Sequence, residues 1–243
     1  MLLSFKYVTH LDLSRNLLTS ASFLSKEGVF PHLKDLNLLG NKIEALPLIL
    51  VRSLRRLNLN YNLISSLEEF DGHPTLELIE LRGNRIRSSK GLKNVPNLRE
   101  LYIAENELTS LKDIERADHL MRINARKNKI ANLLDFPNLP RLAYLSLREN
   151  QIAKIDDLYG VGESIKSINL IANPLETELG ENTKKEVWMK FRNFHRINKN
   201  EVTQEEREDF DKEYKDRLAE QERERLEKEA AEREAREAEN NKE

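Results

Sequence analysis

No cysteine occurs in the 243 residues. That absence excludes a disulfide framework and a thiolate metal site, and it fits a reducing compartment. No stretch approaches 18 apolar residues, so nothing reads as a membrane span. The start, MLLSFKYVTHLDL, lacks the basic n-region and long apolar h-region of a signal peptide. The expectation is a soluble, intracellular protein. Catalytic constellations are missing too. His10, His32, His73, His119 and His195 are scattered without metal-ligand spacing. No GxxxxGK phosphate loop is present, and the serines have no partnering histidine in a recognised motif. No enzyme activity, metal, cofactor or small-molecule substrate is expected.

Apolar residues make up 39% and charged residues 34% of the chain, so part of it is solvated rather than packed. The net charge of −2 hides a split. Residues 203–243 carry 17 acidic and 10 basic side chains, net −7, leaving 25 acidic and 30 basic in 1–202, net +5. Two regions with different roles follow.

The first region repeats. Asn16, Asn41, Asn62, Asn84, Asn106, Asn128, Asn150 and Asn173 fall at intervals of 25, 21, 22, 22, 22, 22 and 23. Each closes a version of LxxLxLxxN, as in LRRLNLNYN ending at Asn62. Leu or Ile stands two residues after each asparagine. Eight residues after the first seven stand Leu24, Ile49, Phe70, Leu92, Ile114, Phe136 and Leu158. This is the signature of the leucine-rich repeat. The expected fold is an α/β solenoid of about eight repeats over 1–175, with a parallel sheet on its concave face. In xLxL the leucines point inward. The resemblance to this repeat family implies that the asparagine turns inward as well, where its amide would satisfy backbone groups of adjacent coils.

A repeat stack needs covers at its ends. Leu2, Leu3 and Phe5 offer a thin one at the start. At the other end, residues 176–202 read as a helical cap. Thr183 and Glu186 fit a capping box, and Val187, Trp188, Phe191 and Phe194 supply the apolar side.

From 203 to 243 glycine and proline are absent, and Glu, Arg and Ala dominate. Acid–base pairs four apart recur, among them Asp211–Lys215, Glu213–Arg217 and Glu232–Arg236, each worth about 0.2–0.5 kcal/mol to a helix. One helix of about 60 Å is expected. Phe210, Tyr214 and Leu218 form its one apolar ladder, too short for a sustained coiled-coil seam.

Residues alternating with the inward leucines form the open face in three rows. Arg82, Tyr102, Arg122, Arg126, Tyr144 and Arg148 concentrate in strands four to seven. Tyr and Arg are enriched at interface hot spots, so these six residues are candidates for binding an acidic or helical protein. Phe210, Tyr214 and Leu218 are candidates for a second partner. Glu80, Glu100 and Glu149 interrupt the basic patch, which argues against nucleic acid.

GNRIRSSKGLKNVPNLRELYIAENEL (83–108), LAYLSLRENQI (142–152) and INKNEVTQEEREDFDKEYKDRL (197–218) together resemble the leucine-rich repeat protein of the radial spokes of motile cilia. The resemblance implies a non-catalytic axonemal scaffold in the cytoplasm of the cilium or flagellum, with other spoke proteins as partners. The end segment resembles the cap of phosphatase-regulator-type repeats, with Asn198 where that pattern has aspartate. Two other readings stay open: a regulatory subunit of a protein phosphatase, and a nuclear or splicing adaptor.

Overall fold

The computed structural model describes residues 5–240, with side chains described through residue 233. Leu2, Leu3 and the side chain of Arg236, invoked above, lie outside the described residues. The chain forms two units, Met1–Glu201 and Val202–Glu243.

In the first unit every xLxL segment becomes a three-residue strand. These are β1 (His10–Asp12), β2 (Asp35–Asn37), β3 (Arg56–Asn58), β4 (Leu78–Glu80), β5 (Glu100–Tyr102), β6 (Arg122–Asn124), β7 (Tyr144–Ser146) and β8 (Ser167–Asn169). Each pairs in parallel with the next, in sequence order. The register sets Leu36, Leu57, Ile79, Leu101, Ile123, Leu145 and Ile168 in one inward column, all at most 2% exposed. Burying each such side chain is worth about 1.5–3 kcal/mol. Leu11, in the first coil, is only half-buried because no described coil covers it.

The return segments carry short 3-10 turns at Ser22–Ser25 and Ile155–Leu158, and no α-helix precedes Asn173 among the described residues. Of the positions eight after the asparagines, Phe136 departs from expectation. It is half-buried, and Leu133 takes the interior place.

Seven of the eight asparagines form the ladder. In each, Oδ1 accepts the N–H of a Leu or Ile in the preceding coil at 3.0 Å, as Asn106 does from Ile86. The same amide's Nδ2 donates to a carbonyl in that coil and to one in its own. Asn16 is the exception. It is exposed and donates only to Leu13 and Ser14 of its own coil, with no N–H from a preceding coil among the described residues.

The residue before each asparagine is left-handed, with φ between 53° and 69° at Arg15, Gly40, Tyr61, Gly83, Glu105, Lys127, Glu149 and Ala172. The sharp turn after the strand imposes this, and only two coils use glycine, the residue suited to it. Gly83 has a second reason: a Cβ there would meet the Tyr61 ring at 2.5 Å.

At the first edge, Phe5 stacks on Phe30 with ring centroids 5.4 Å apart. At the last, α1 (Pro174–Leu179) starts on the ladder residue Asn173, and α2 (Thr183–Lys190) follows a 3-10 turn. Val187, Trp188 and Phe194 are buried; Phe191 is half-buried. The capping box expected at Thr183–Glu186 is not how α2 begins. Asn182 is already helical, and the buried Thr183 hydroxyl donates to the Gly180 carbonyl. The reciprocal box sits at Thr203–Glu206 instead. There the Glu206 carboxylate accepts the Thr203 N–H at 2.9 Å and the Thr203 hydroxyl accepts the Glu206 N–H at 3.2 Å.

Beyond α2, β9 (Arg196–Ile197) continues the parallel sheet from β8 and β10 (Asn200–Glu201) folds back antiparallel. The two residues between them, Asn198 (φ 51°) and Lys199 (φ 72°), both have positive φ, as a tight hairpin turn of the favoured hand requires. Asn198 Oδ1 accepts the Leu170 N–H at 2.7 Å, and its Nδ2 donates to Glu176 Oε1 at 3.2 Å. An aspartate could not make the second bond, which explains the asparagine at this place.

In the second unit, α3 (Gln204–Asn240) is a single helix of 37 residues, about 55 Å long. Of the expected pairs, Glu213–Arg217 forms at 2.6 Å, while Arg225 lies between Glu222 and Glu229. No described helix is long and apolar enough to cross a membrane.

Candidate protein-binding face

The strands are too short to hold side chains of more than three rows, and the register lines those rows up across coils. The middle row carries Asp12, Asn37, Asn58, Glu80, Tyr102, Asn124, Ser146 and Asn169. Not all of it is open surface. Asp12, Asn37, Asn58, Asn124 and Asn169 each turn back, so that the side-chain oxygen accepts the N–H two residues on, at 2.8–3.3 Å. These side chains cap the strand ends, as Asx turns do. Ser146, Asn169 and Ala104 are buried, so they offer no contact surface.

Of the six residues singled out from the sequence, Tyr102, Arg122 and Tyr144 lie on β5–β7, and Arg82, Arg126 and Arg148 lie two residues past the ends of β4, β6 and β7. Tyr102 and Tyr144 are half-buried, and Arg82, Arg122, Arg126 and Arg148 have side chains 34–46% exposed. All four arginines face carboxylates of the same chain. Arg82 pairs with Glu105 at 3.0 Å, and Arg126 and Arg148 converge on Glu149 at 3.2 and 2.9 Å. Lys127 bridges Glu105 and Glu149 at 3.6 and 3.8 Å. The hydrogen bond from Arg82 holds the Glu105 carboxyl below the ordinary range. Exposed pairs of this kind are worth at most about 1 kcal/mol each, so they fix geometry more than they add stability. The patch is therefore mixed in charge rather than uniformly basic.

Arg122 is placed differently. Its guanidinium lies over the Tyr144 ring, 4.4 Å from the centroid, a contact that orients the cation. The nearest carboxylate, Glu100, is 4.0 Å away and already accepts the Tyr102 hydroxyl at 2.5 Å. Burial and that bond push the Tyr102 pKa up to about 12.

Glu105 and Lys127 were not candidates from the sequence, because they follow the strands at the left-handed position and belong to none of the three rows. Their alternation with Arg82, Arg126 and Glu149 at spacings near 22 was the available signal. Phe210 and Tyr214 are half-buried and Leu218 is 47% exposed, at four-residue spacing on α3. Among the described residues no group of three His, Asp or Glu converges as a metal site.

No protein-family model and no curated protein matches the sequence. Solved structures do. A leucine-rich repeat protein of Leptospira interrogans matches at 23% identity and TM-score 0.60, covering 79% of this chain and 49% of that one. The internalin InlF of Listeria monocytogenes matches at 23% and 0.58, covering 77% and 53%. YopM of Yersinia enterocolitica matches at 27% and 0.52, covering 68% and 33%. This chain thus spans about half the length of the first two and a third of the last. The repeat period, the parallel in-register sheet and the asparagine ladder agree with these likenesses: the fold is a leucine-rich repeat solenoid.

Proposed function

We propose that this chain is a non-catalytic scaffold that holds protein partners on the face of β4–β7 and on α3, and that it serves in the ciliary axoneme as a radial-spoke component. The observation that carries the scaffold reading is the set of half-exposed Tyr and Arg side chains on the open face, oriented by pairing within the chain. Anchors of these types dominate interface energetics when preorganised. Support for the axonemal placement comes from the sequence stretches 83–108, 142–152 and 197–218 alone. The opposite charges of the two regions support separate partners for each.

Two double variants test this in pull-downs from ciliary extract. Tyr102→Ala with Tyr144→Ala should release the partner of the open face and keep the α3 partner. Phe210→Ala with Leu218→Ala should do the reverse. Loss of the same proteins from both variants would sink the bridging role. Failure of the protein to sediment with salt-washed axonemes would sink the axonemal placement.

A further inference from the structure

One charged side chain in the middle row stands apart. Glu80 on β4 occupies a place where five other coils have an Asp or Asn capping the strand end. Here that duty has moved to the preceding coil, where Asn60 Oδ1 accepts the Arg82 N–H at 2.7 Å. Glu80 is thereby released. Among the described residues no hydrogen bond or ion pair reaches its carboxylate, although it is half-buried. It borders a concavity of about 420 Å³ over β1–β4, lined also by Leu78, Asn58, Asp12, Asp35 and Arg56, of which Arg56 is taken up by Asp35 at 3.2 Å. A carboxylate without a partner inside the chain is open to a cation from outside it.

Two strands along, Arg122 is the complementary case: held by Tyr144, and only loosely met by Glu100. Neighbouring strands are about 4.8 Å apart, so the two places are about 10 Å apart across the strands, and they are offset by one row, about 6.6 Å, along them. Leu78 and Tyr102 lie on the strands in this stretch. The three rows of the open face span four residue steps, about 13 Å, close to the diameter of one α-helix with its side chains.

We propose that the open face reads a helical partner segment by two charges of opposite sign. A Lys or Arg of the partner sets its methylenes on Leu78 and its charge on Glu80, and a Glu or Asp about seven residues away meets Arg122. Seven residues of helix span about 10.5 Å, the spacing of the two strands. The proposal rests on the open face being the binding face and specifies what it selects.

The probe is a synthetic helical peptide carrying Arg and, seven residues on, Glu. Its binding to the full chain is measured by fluorescence anisotropy at about 0.15 M salt. It should bind, and a version with both positions acidic should bind at least about tenfold more weakly. Glu80→Gln should remove that preference without moving the melting temperature, since the Glu80 carboxylate makes no bond in the fold and its backbone bonds are kept. Glu80→Lys should reverse the preference, so that the doubly acidic peptide binds better. That swap reads selectivity within one protein, so it does not depend on the variant's stability. Equal binding of the two peptides, no binding of either, or an unchanged preference in Glu80→Lys would overturn the proposal. If Tyr102→Ala with Tyr144→Ala still abolishes capture from extract, the open face remains the binding face and only the two-charge selection fails.

Discussion

Replacing Asn106 by alanine tests the ladder most directly. The side chain accepts the Ile86 N–H at 3.0 Å and donates to the Leu81 and Ile103 carbonyls at 2.9 and 3.1 Å. Ile86, Leu81 and Ile103 are fully buried, so water cannot replace the lost partner. Leaving one buried N–H unsatisfied costs about 1–3 kcal/mol, and the weakened carbonyls add to it, for about 3 kcal/mol in all. Asn16→Ala is the matched control, because Asn16 holds the same motif position but is exposed and bonds only to its own coil. It should cost less than about 1 kcal/mol, and exposed Asn138→Ala should stay within about 0.5. Asn94 would be a poor control, since it is half-buried, left-handed with φ 60° and accepts a bond from Arg116. The assay is equilibrium unfolding in urea, followed by circular dichroism and by the single tryptophan, Trp188. Coincidence of the two probes licenses the two-state treatment. Equal losses for Asn106→Ala and Asn16→Ala would refute the argument that burial between coils, and not the motif itself, makes the asparagine matter.

Stability should also depend on pH through His73, which stands 22 residues from Val51 and from Val95 and is 1% exposed. Burial lowers its pKa from 6.5 to about 4. The unfolded chain therefore binds a proton that the folded chain refuses, and stability falls as pH drops from about 6.5 toward 4, by about 3 kcal/mol at most. His73→Val should flatten that part of a melting-temperature profile against pH, and an unchanged profile would refute the assignment. Asn198→Asp should destabilise by about 1 kcal/mol at neutral pH, since it replaces the donor to Glu176 by a like charge. In a Glu176→Gln background, chemical denaturation should show the penalty shrinking. Ala172→Gly should stabilise by about 0.5 kcal/mol, because φ of 58° strains alanine by more than glycine's entropy costs. A lower melting temperature for that variant would count against a strained turn.

The repeat period, the inward leucines, the asparagine positions and the apolar residues of the end cap were all legible in the sequence, because each depends on a pattern within one coil. Alternation by two specifies a strand wherever it occurs, and Leu57 and Leu59 point inward whatever their neighbours are. Tertiary structure decided what depends on one coil meeting the next. Asn16 and Asn106 share a motif, yet only stacking distinguishes an exposed amide from a buried one. The middle-row asparagines look like open surface in the sequence but turn back onto their own strand ends. Thr183 and Thr203 both precede glutamate by three residues, and only the path of the chain into each helix decided which pair closes a capping box. The arginines of the open face are legible as residues, but the pairing of Arg82 with Glu105 and of Arg126 with Glu149, and the freedom of Glu80, arise from groups about 22 residues apart. Those meet only because parallel strands in register bring successive coils to about 4.8 Å, a separation that local pattern cannot express.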